Sequence, residues 1–253
     1  MDKEFILEVK KKREFSQLPD SVVERAISVA GEDIKEVRSL LRKYFGVFLT
    51  NKVLKGKGIE ILKSHKSSMH REYGPLYELI FGKMGDVGAV VDLGCGANCF
   101  SYELMPKGIN YVGVEAVGQL VDSANRYFKE GGFESAHVLH RDLFDLEFIL
   151  KTLKQMPKPR AIFLFQVVDA LENLEKDFSK KFLLAIGEES ERIVLSLPVR
   201  SLSGRTRFQA RRKWILDFIG ENFETIDSFE TNGERFLIIK NKFFWGLFLN
   251  KVF

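Results

Sequence analysis

Apolar positions along the chain follow two different periods. Between residues 20 and 44 they recur at helical spacing: Asp20-Ser-Val-Val-Glu-Arg-Ala-Ile-Ser-Val-Ala reads as one amphipathic helix, and Glu32 to Tyr44 repeats the pattern with Ile34, Val37, Leu40 and Leu41. From residue 90 onward the pattern becomes a series of short apolar runs, each ending in a polar group or a turn. Val90-Val-Asp-Leu breaks into the glycine turn Gly94-Cys-Gly-Ala-Asn98, Asn110-Tyr-Val-Gly-Val ends in Glu115, and Ala136-His-Val-Leu-His-Arg ends in Asp142. Ala161-Ile-Phe-Leu-Phe ends in Gln166, Arg192 to Leu197 forms a fifth run, and Gln209 to Ile219 reads as a helix. Strands alternating with helices predict a parallel α/β sheet. The C-terminal ends of its strands share one edge, so Asp92, Glu115, Asp142 and Gln166 are expected to line one crevice. Any one of these acids alone reads equally well as a helix N-cap.

Composition agrees with a folded enzyme that enters no membrane. The chain has 253 residues, 45% of them hydrophobic, including 23 Phe, which suffices for one large domain with a smaller one beside it. The first residues, Met-Asp-Lys-Glu-Phe-Ile, are charged and resemble neither a signal peptide nor a span, so a cytoplasmic location is expected. Cys95 and Cys99 are the two cysteines; they are expected as free thiols, and no metal is expected.

Charge is uneven. Of the net +4, residues 1–74 carry +5 and the remainder −1. Lys10, Lys11, Lys12 and Arg13, then Arg42 and Lys43, then Lys52 to Lys66 can follow a phosphate backbone, although such runs are also ordinary solvated helix faces. A second cluster tilts that balance: Arg200, Arg205, Arg207, Arg211, Arg212 and Lys213 contain no acid among them and follow the fifth strand, on the crevice edge of the sheet. Basic loops beside the crevice suggest a polyanionic substrate.

The glycine turn narrows the chemistry. An apolar strand ending in Asp92 and breaking at Gly94 and Gly96 lets a nucleotide-like cofactor lie against bare backbone, with N–H groups exposed by the turn. Asp92 can accept a hydrogen bond from that ligand or fix the loop. A dinucleotide fingerprint requires a third small residue where this chain has Cys99, which disfavours NAD or FAD and points to S-adenosylmethionine. Glu115, roughly 20 residues beyond the first Gly, is the ribose candidate. The expected fold class is therefore α/β, a class I (Rossmann-like) S-adenosylmethionine-dependent methyltransferase domain over residues 75–253, preceded by an N-terminal helical domain over residues 1–74, which the family resemblance below makes an RNA-docking domain.

Several segments, in order, resemble the aminoglycoside-resistance 16S rRNA (guanine-N7) methyltransferases. They are Phe15-Ser-Gln-Leu-Pro-Asp-Ser-Val-Val-Glu-Arg, His65-Lys-Ser-Ser-Met-His-Arg71, Asp92-Leu-Gly-Cys-Gly-Ala-Asn98 and, most specific, Leu197-Pro-Val-Arg-Ser-Leu-Ser-Gly-Arg205. The resemblance spans nearly the whole chain. Cys99 stands where that family usually has Pro, the stretch from Phe48 to His65 is shorter than its helical domain, and the apolar tail from Phe243 has no counterpart there; that tail is too short to span a bilayer. The resemblance implies a monomer that methylates guanine N7 of 16S rRNA in the assembled 30S subunit. It implies a donor site formed by His65, Arg71, Asp92, Gly94, Cys95, Gly96, Asn98, Glu115, Ala116, Asp142, Leu143 and Gln166, with Arg71 on the methionine carboxylate. Arg200, Ser201 and Arg205 are the candidates for positioning the target nucleotide. Lys10 to Arg13, Arg200, Arg205, Arg207 and Arg211 are those for gripping RNA.

Guanine N7 is an unprotonated acceptor, so attack on a sulfonium methyl requires no general base, and His65, His70, His137 and His140 are expected in structural or surface roles. Exposing a base from a duplex calls for stacking partners, for which Phe208 and Trp214 are candidates, though both also read as core aromatics of their helix. The competing functions are a methyltransferase for another RNA, a small molecule or a protein, and a non-catalytic RNA-binding homologue.

Overall fold

A computed structural model describes residues 3–45, 56, 58–64, 68–199 and 212–242. Among these, four helices come first: α1 (Lys3–Lys10), α2 (Asp20–Ala30), α3 (Ile34–Tyr44) and the short α4 (Glu60–Ser64). Pro19, at φ −55°, precedes α2, and Gly31, at φ +76°, stops it. Asp33 caps α3 by accepting from the N–H groups of Lys35 and Glu36 at 2.7 and 3.1 Å, so that helix starts two residues later than the apolar pattern suggests.

The sheet domain runs α5 (Tyr73–Met84), β1 (Ala89–Leu93), 3₁₀ turns over Gly96–Leu104, β2 (Asn110–Glu115), α6 (Gly118–Glu130), β3 (Ala136–His140), α7 (Leu146–Gln155), β4 (Arg160–Phe165), α8 (Val168–Leu174), α9 (Phe178–Glu188), β5 (Arg192–Pro198), α10 (Lys213–Asn222), β6 (Phe223–Thr231) and β7 (Glu234–Asn241). Strand order is β3-β2-β1-β4-β5-β7-β6, parallel except for β7, which runs antiparallel to both its neighbours. The order reverses beside β1, which places a ligand crevice at the C-terminal ends of β1 and β4.

Central strands β1 and β4 are buried throughout because helices cover both faces. One face carries Val90, Tyr111, Phe163 and Phe236 and is continuous with the cores of α1, α2, α3 and α5; the other carries Val91, Leu93, Val114 and Leu164 and packs under α7, α8, α9 and α10. The expected division at residues 74/75 falls inside α5, whose Tyr73, Leu76, Tyr77 and Ile80 are buried in the first of these cores. The β6–β7 hairpin was not anticipated from the sequence, and α10 begins at Lys213, four residues beyond the expected Gln209. The Phe243–Phe253 tail lies outside the described residues.

Candidate functional site

At the crevice edge of the sheet lies a cavity of about 660 Å³, within the ordinary range for small-molecule sites. Its floor is the first turn. Gly94, at φ +71°, has Val167 so close that a Cβ there would lie 2.8 Å from its Cγ2. Only a glycine can sit there without displacing the cavity wall.

The backbone N–H groups of this turn do not face a ligand as the sequence suggests. Those of Gly94 and Cys95 donate to the Val114 carbonyl at 2.8 and 3.1 Å, and that of Gly96 donates to Glu115 Oε2 at 2.9 Å. The turn is thus stitched to β2, and what it offers is a close, bare surface. Glu115 holds the turn with Oε2, while its Oε1 accepts from the Val117 N–H of its own loop at 2.9 Å. Each oxygen keeps a further lone pair for a ligand hydroxyl. Burial pushes the Glu115 pKa above the usual carboxylate range, opposed by those backbone N–H groups.

Gly94, Cys95, Gly96, Asn98, Glu115, Ala116, Asp142, Leu143, Gln166 and Arg71 all line this one cavity. Asp92 is a correction: it does not line the cavity but lies beneath the turn. Its Oδ2 accepts from Asn98 Nδ2 at 2.6 Å and from Tyr111 Oη at 2.9 Å, while Oδ1 is buried with no hydrogen-bond partner among the described residues. Burial outweighs these bonds and raises its pKa to about 6. Of the two roles open to Asp92, fixing the loop is the one this geometry performs. His65 lies outside the described residues, as do Arg200, Ser201, Arg205, Arg207, Phe208 and Arg211.

Arg71 sits in a buried network. Its Nε and Nη2 form a bidentate pair with Glu234 at 2.8 Å each, its Nη1 is 3.4 Å from Tyr73 Oη, and Glu234 also accepts from Ser196 Oγ at 2.7 Å. An anionic ligand group at Arg71 therefore meets a neutralised pair, so hydrogen-bond geometry rather than net charge governs that contact. Gln166, the residue after β4, has φ +61°, a conformation costly for a non-glycine residue and characteristic of functional sites.

Several wall residues had no local signal in the sequence. Val22, Lys43, Tyr44 and Phe45 bring α2 and the end of α3 into the cavity, and Ser68, Phe165, Asp169 and Pro198 complete its rim. They meet there through contacts between distant segments. Trp214 packs against the core as expected and also lines the cavity, with Lys180 Nζ 5.7 Å from its ring centre. Arg212 departs from the basic cluster in which it was read: it is buried, paired with Asp169, and donates to the Pro198 carbonyl. In the N-terminal run, Lys10 pairs with Asp20 at 2.6 Å and Lys11 with Glu8, whereas Lys12 and Arg13 are exposed.

No family model and no curated protein matches the sequence. Solved structures do match. An rRNA methylase from Escherichia coli superposes with a TM-score of 0.74 at 19% identity, covering 94% of this chain and 99% of its own. The fold is that of the class I methyltransferases. The 16S rRNA methyltransferase RmtF, in complex with S-adenosyl-L-homocysteine, gives a TM-score of 0.74 at 17% identity over 96% of this chain and 100% of its own. The N-methyltransferase NodS from Bradyrhizobium japonicum, also with S-adenosylhomocysteine, reaches 0.52 at 13% identity over 79% of this chain and 99% of its own.

Proposed function

We propose that this protein is an S-adenosylmethionine-dependent rRNA methyltransferase that modifies guanine N7 in the decoding region of 16S rRNA within the 30S subunit, a modification of the kind that confers aminoglycoside resistance. The observation that carries this reading is extent of likeness. Three rRNA methylases match 94–96% of this chain at TM-scores of 0.72–0.74, whereas the 16S rRNA methylase ArmA matches 80% at 0.55 and NodS 79% at 0.52.

The cavity suits such a donor. Gly94 lets the turn lie close against Val167 in the cavity wall, Glu115 offers lone pairs to a ribose, and Asp142 and Arg71 line the cavity with them. S-adenosylmethionine supplies an electrophilic methyl group on a sulfonium when bound. Guanine N7 brings its own lone pair, so no side chain here has to remove a proton. The task of the protein is alignment. Gln166 and Val167 fix the wall next to the glycine turn, Trp214 offers a stacking face at the rim, and the backbone after Pro198 leads into the basic segment carrying Arg200, Ser201 and Arg205. Holding nucleophile and methyl carbon in line lowers such a barrier by several kcal/mol, up to about 7–11 in well-oriented systems.

Incubating the protein with 30S subunits and labelled donor, then mapping the modified nucleotide by cleavage at N7-methylguanosine, tests this reading. One modified guanosine in the decoding region is expected. Label at adenine N1, at a ribose hydroxyl, or only on protein or small molecules overturns it.

A further inference from the structure

The wall at the end of β3 is held by a residue from the other end of the chain. Asp142 is 7% exposed, and both its oxygens are engaged: Oδ1 accepts from the Phe144 N–H at 3.0 Å, and Oδ2 accepts from Ser21 Oγ at 2.6 Å. Ser21 belongs to the first turn of α2, whose next residue, Val22, lines the cavity itself. Two further contacts pin α2 and the segment leading into it over the same wall. One turn on, Arg25 lies 4.3 Å from the centre of the Phe144 ring. On the β2 side, Gln119 Nε2 donates to the Arg13 carbonyl at 2.8 Å and to Ser16 Oγ at 3.1 Å.

A carboxylate with two fixed donors has its plane set, and its two remaining lone pairs face in defined directions. It can then accept from an N–H donor and repels another acceptor. The exocyclic amino group of adenine is such a donor, and the 6-oxo group of hypoxanthine is an acceptor in the same place. Resting on the donor reading above, we infer that Ser21 is a positioning residue of the donor site, holding Asp142 so that it selects an adenine base, and that the N-terminal helices thereby take part in donor recognition.

Calorimetric affinities of the full chain for S-adenosylhomocysteine and for its 6-oxo counterpart, S-inosylhomocysteine, test this. The parent protein is expected to prefer the adenine ligand. Ser21→Ala should reduce that preference by about 3–10-fold, the scale of one ordinary net hydrogen bond, and Ser21→Thr, which keeps a hydroxyl, should restore it. Asp142→Asn, whose amide can donate to a 6-oxo group, should shift the preference toward the inosine ligand. Equal weakening of both ligands in Ser21→Ala, with the ratio unchanged, marks a merely structural residue and overturns the inference while leaving the donor reading intact. An unchanged ratio in Asp142→Asn overturns it as well. A parent protein that binds neither ligand overturns the donor reading and this inference together.

Discussion

Asp92 carries an ionisable group in a place that disfavours its charge, and that leaves a pH signature. Its folded pKa, about 6, lies above the ordinary 3.8 because burial outweighs the bonds from Asn98 and Tyr111. Between those values the folded state binds more protons than the unfolded one, so stability falls as pH rises from about 4 through 6 and levels off above it. The loss attributable to this group is at most about 3 kcal/mol. Asp92→Asn keeps an oxygen for Asn98 and Tyr111 and removes the titration, so its melting temperature should depend less on pH over this range than that of the parent. Parallel thermal scans at pH 4.5 and 7 check it; identical slopes refute the assignment. At this scale the sequence was informative where chemistry sits at strand ends: Gly94, Glu115, Asp142 and Gln166 were legible and all line the cavity. It misled at Asp92, because a strand-end acid looks the same whether it faces the ligand or the underside of the turn. Ser21 and Glu234 were silent because their partners are 121 and 163 residues away.

Among the elements, the β6–β7 hairpin shows why part of the fold was missed. Asn232 and Gly233 both have positive φ, +51° and +79°, which is the backbone that a two-residue hairpin turn requires and an Asn-Gly pair accepts. That dipeptide was the available signal, but the flanking Phe223–Thr231 strand is mostly solvent-facing and lacks a continuous apolar run. The five parallel strands were legible because their burial forces apolar sequence. The hairpin also delivers Glu234 to Arg71, whose side chains are 4% and 6% exposed in their pair. Removing the acid strands a buried guanidinium. Glu234→Ala should therefore cost about 3–5 kcal/mol in chemical denaturation, whereas Arg235→Ala on the same strand, removing a partly exposed pair with Glu230, should cost about 1 kcal/mol or less. Equal costs would show that the Arg71–Glu234 pair is no more than a surface contact in energy.

Over the whole molecule, the N-terminal surplus of charge is partly spent internally. Lys10, Lys11, Arg38 and Arg42 all face acids of the same N-terminal segment, Asp20, Glu8 and Glu14. Exposed pairs of this kind contribute only about 0–1 kcal/mol, so a phosphate can displace them, but Lys12 and Arg13 need no such exchange. On the proposed reading, replacing Lys12 and Arg13 with Ala should weaken 30S binding and flatten its dependence on salt by roughly one to two logarithmic units of slope, with affinity for S-adenosylhomocysteine unchanged in the absence of subunits. Binding isotherms at three ionic strengths measure this; a parallel salt dependence in both proteins would leave these residues as a solvated helix face.

The position of α2 has a thermodynamic corollary. The N-terminal segment carries the exposed Lys12 and Arg13 and also, through Val22 and the Ser21–Asp142 bond, helps to wall the cavity. Two ligands that share a wall cannot be energetically independent if either one shifts it. On the proposed reading, whatever factor subunit binding imposes on donor affinity, donor binding must impose on subunit affinity in equal measure.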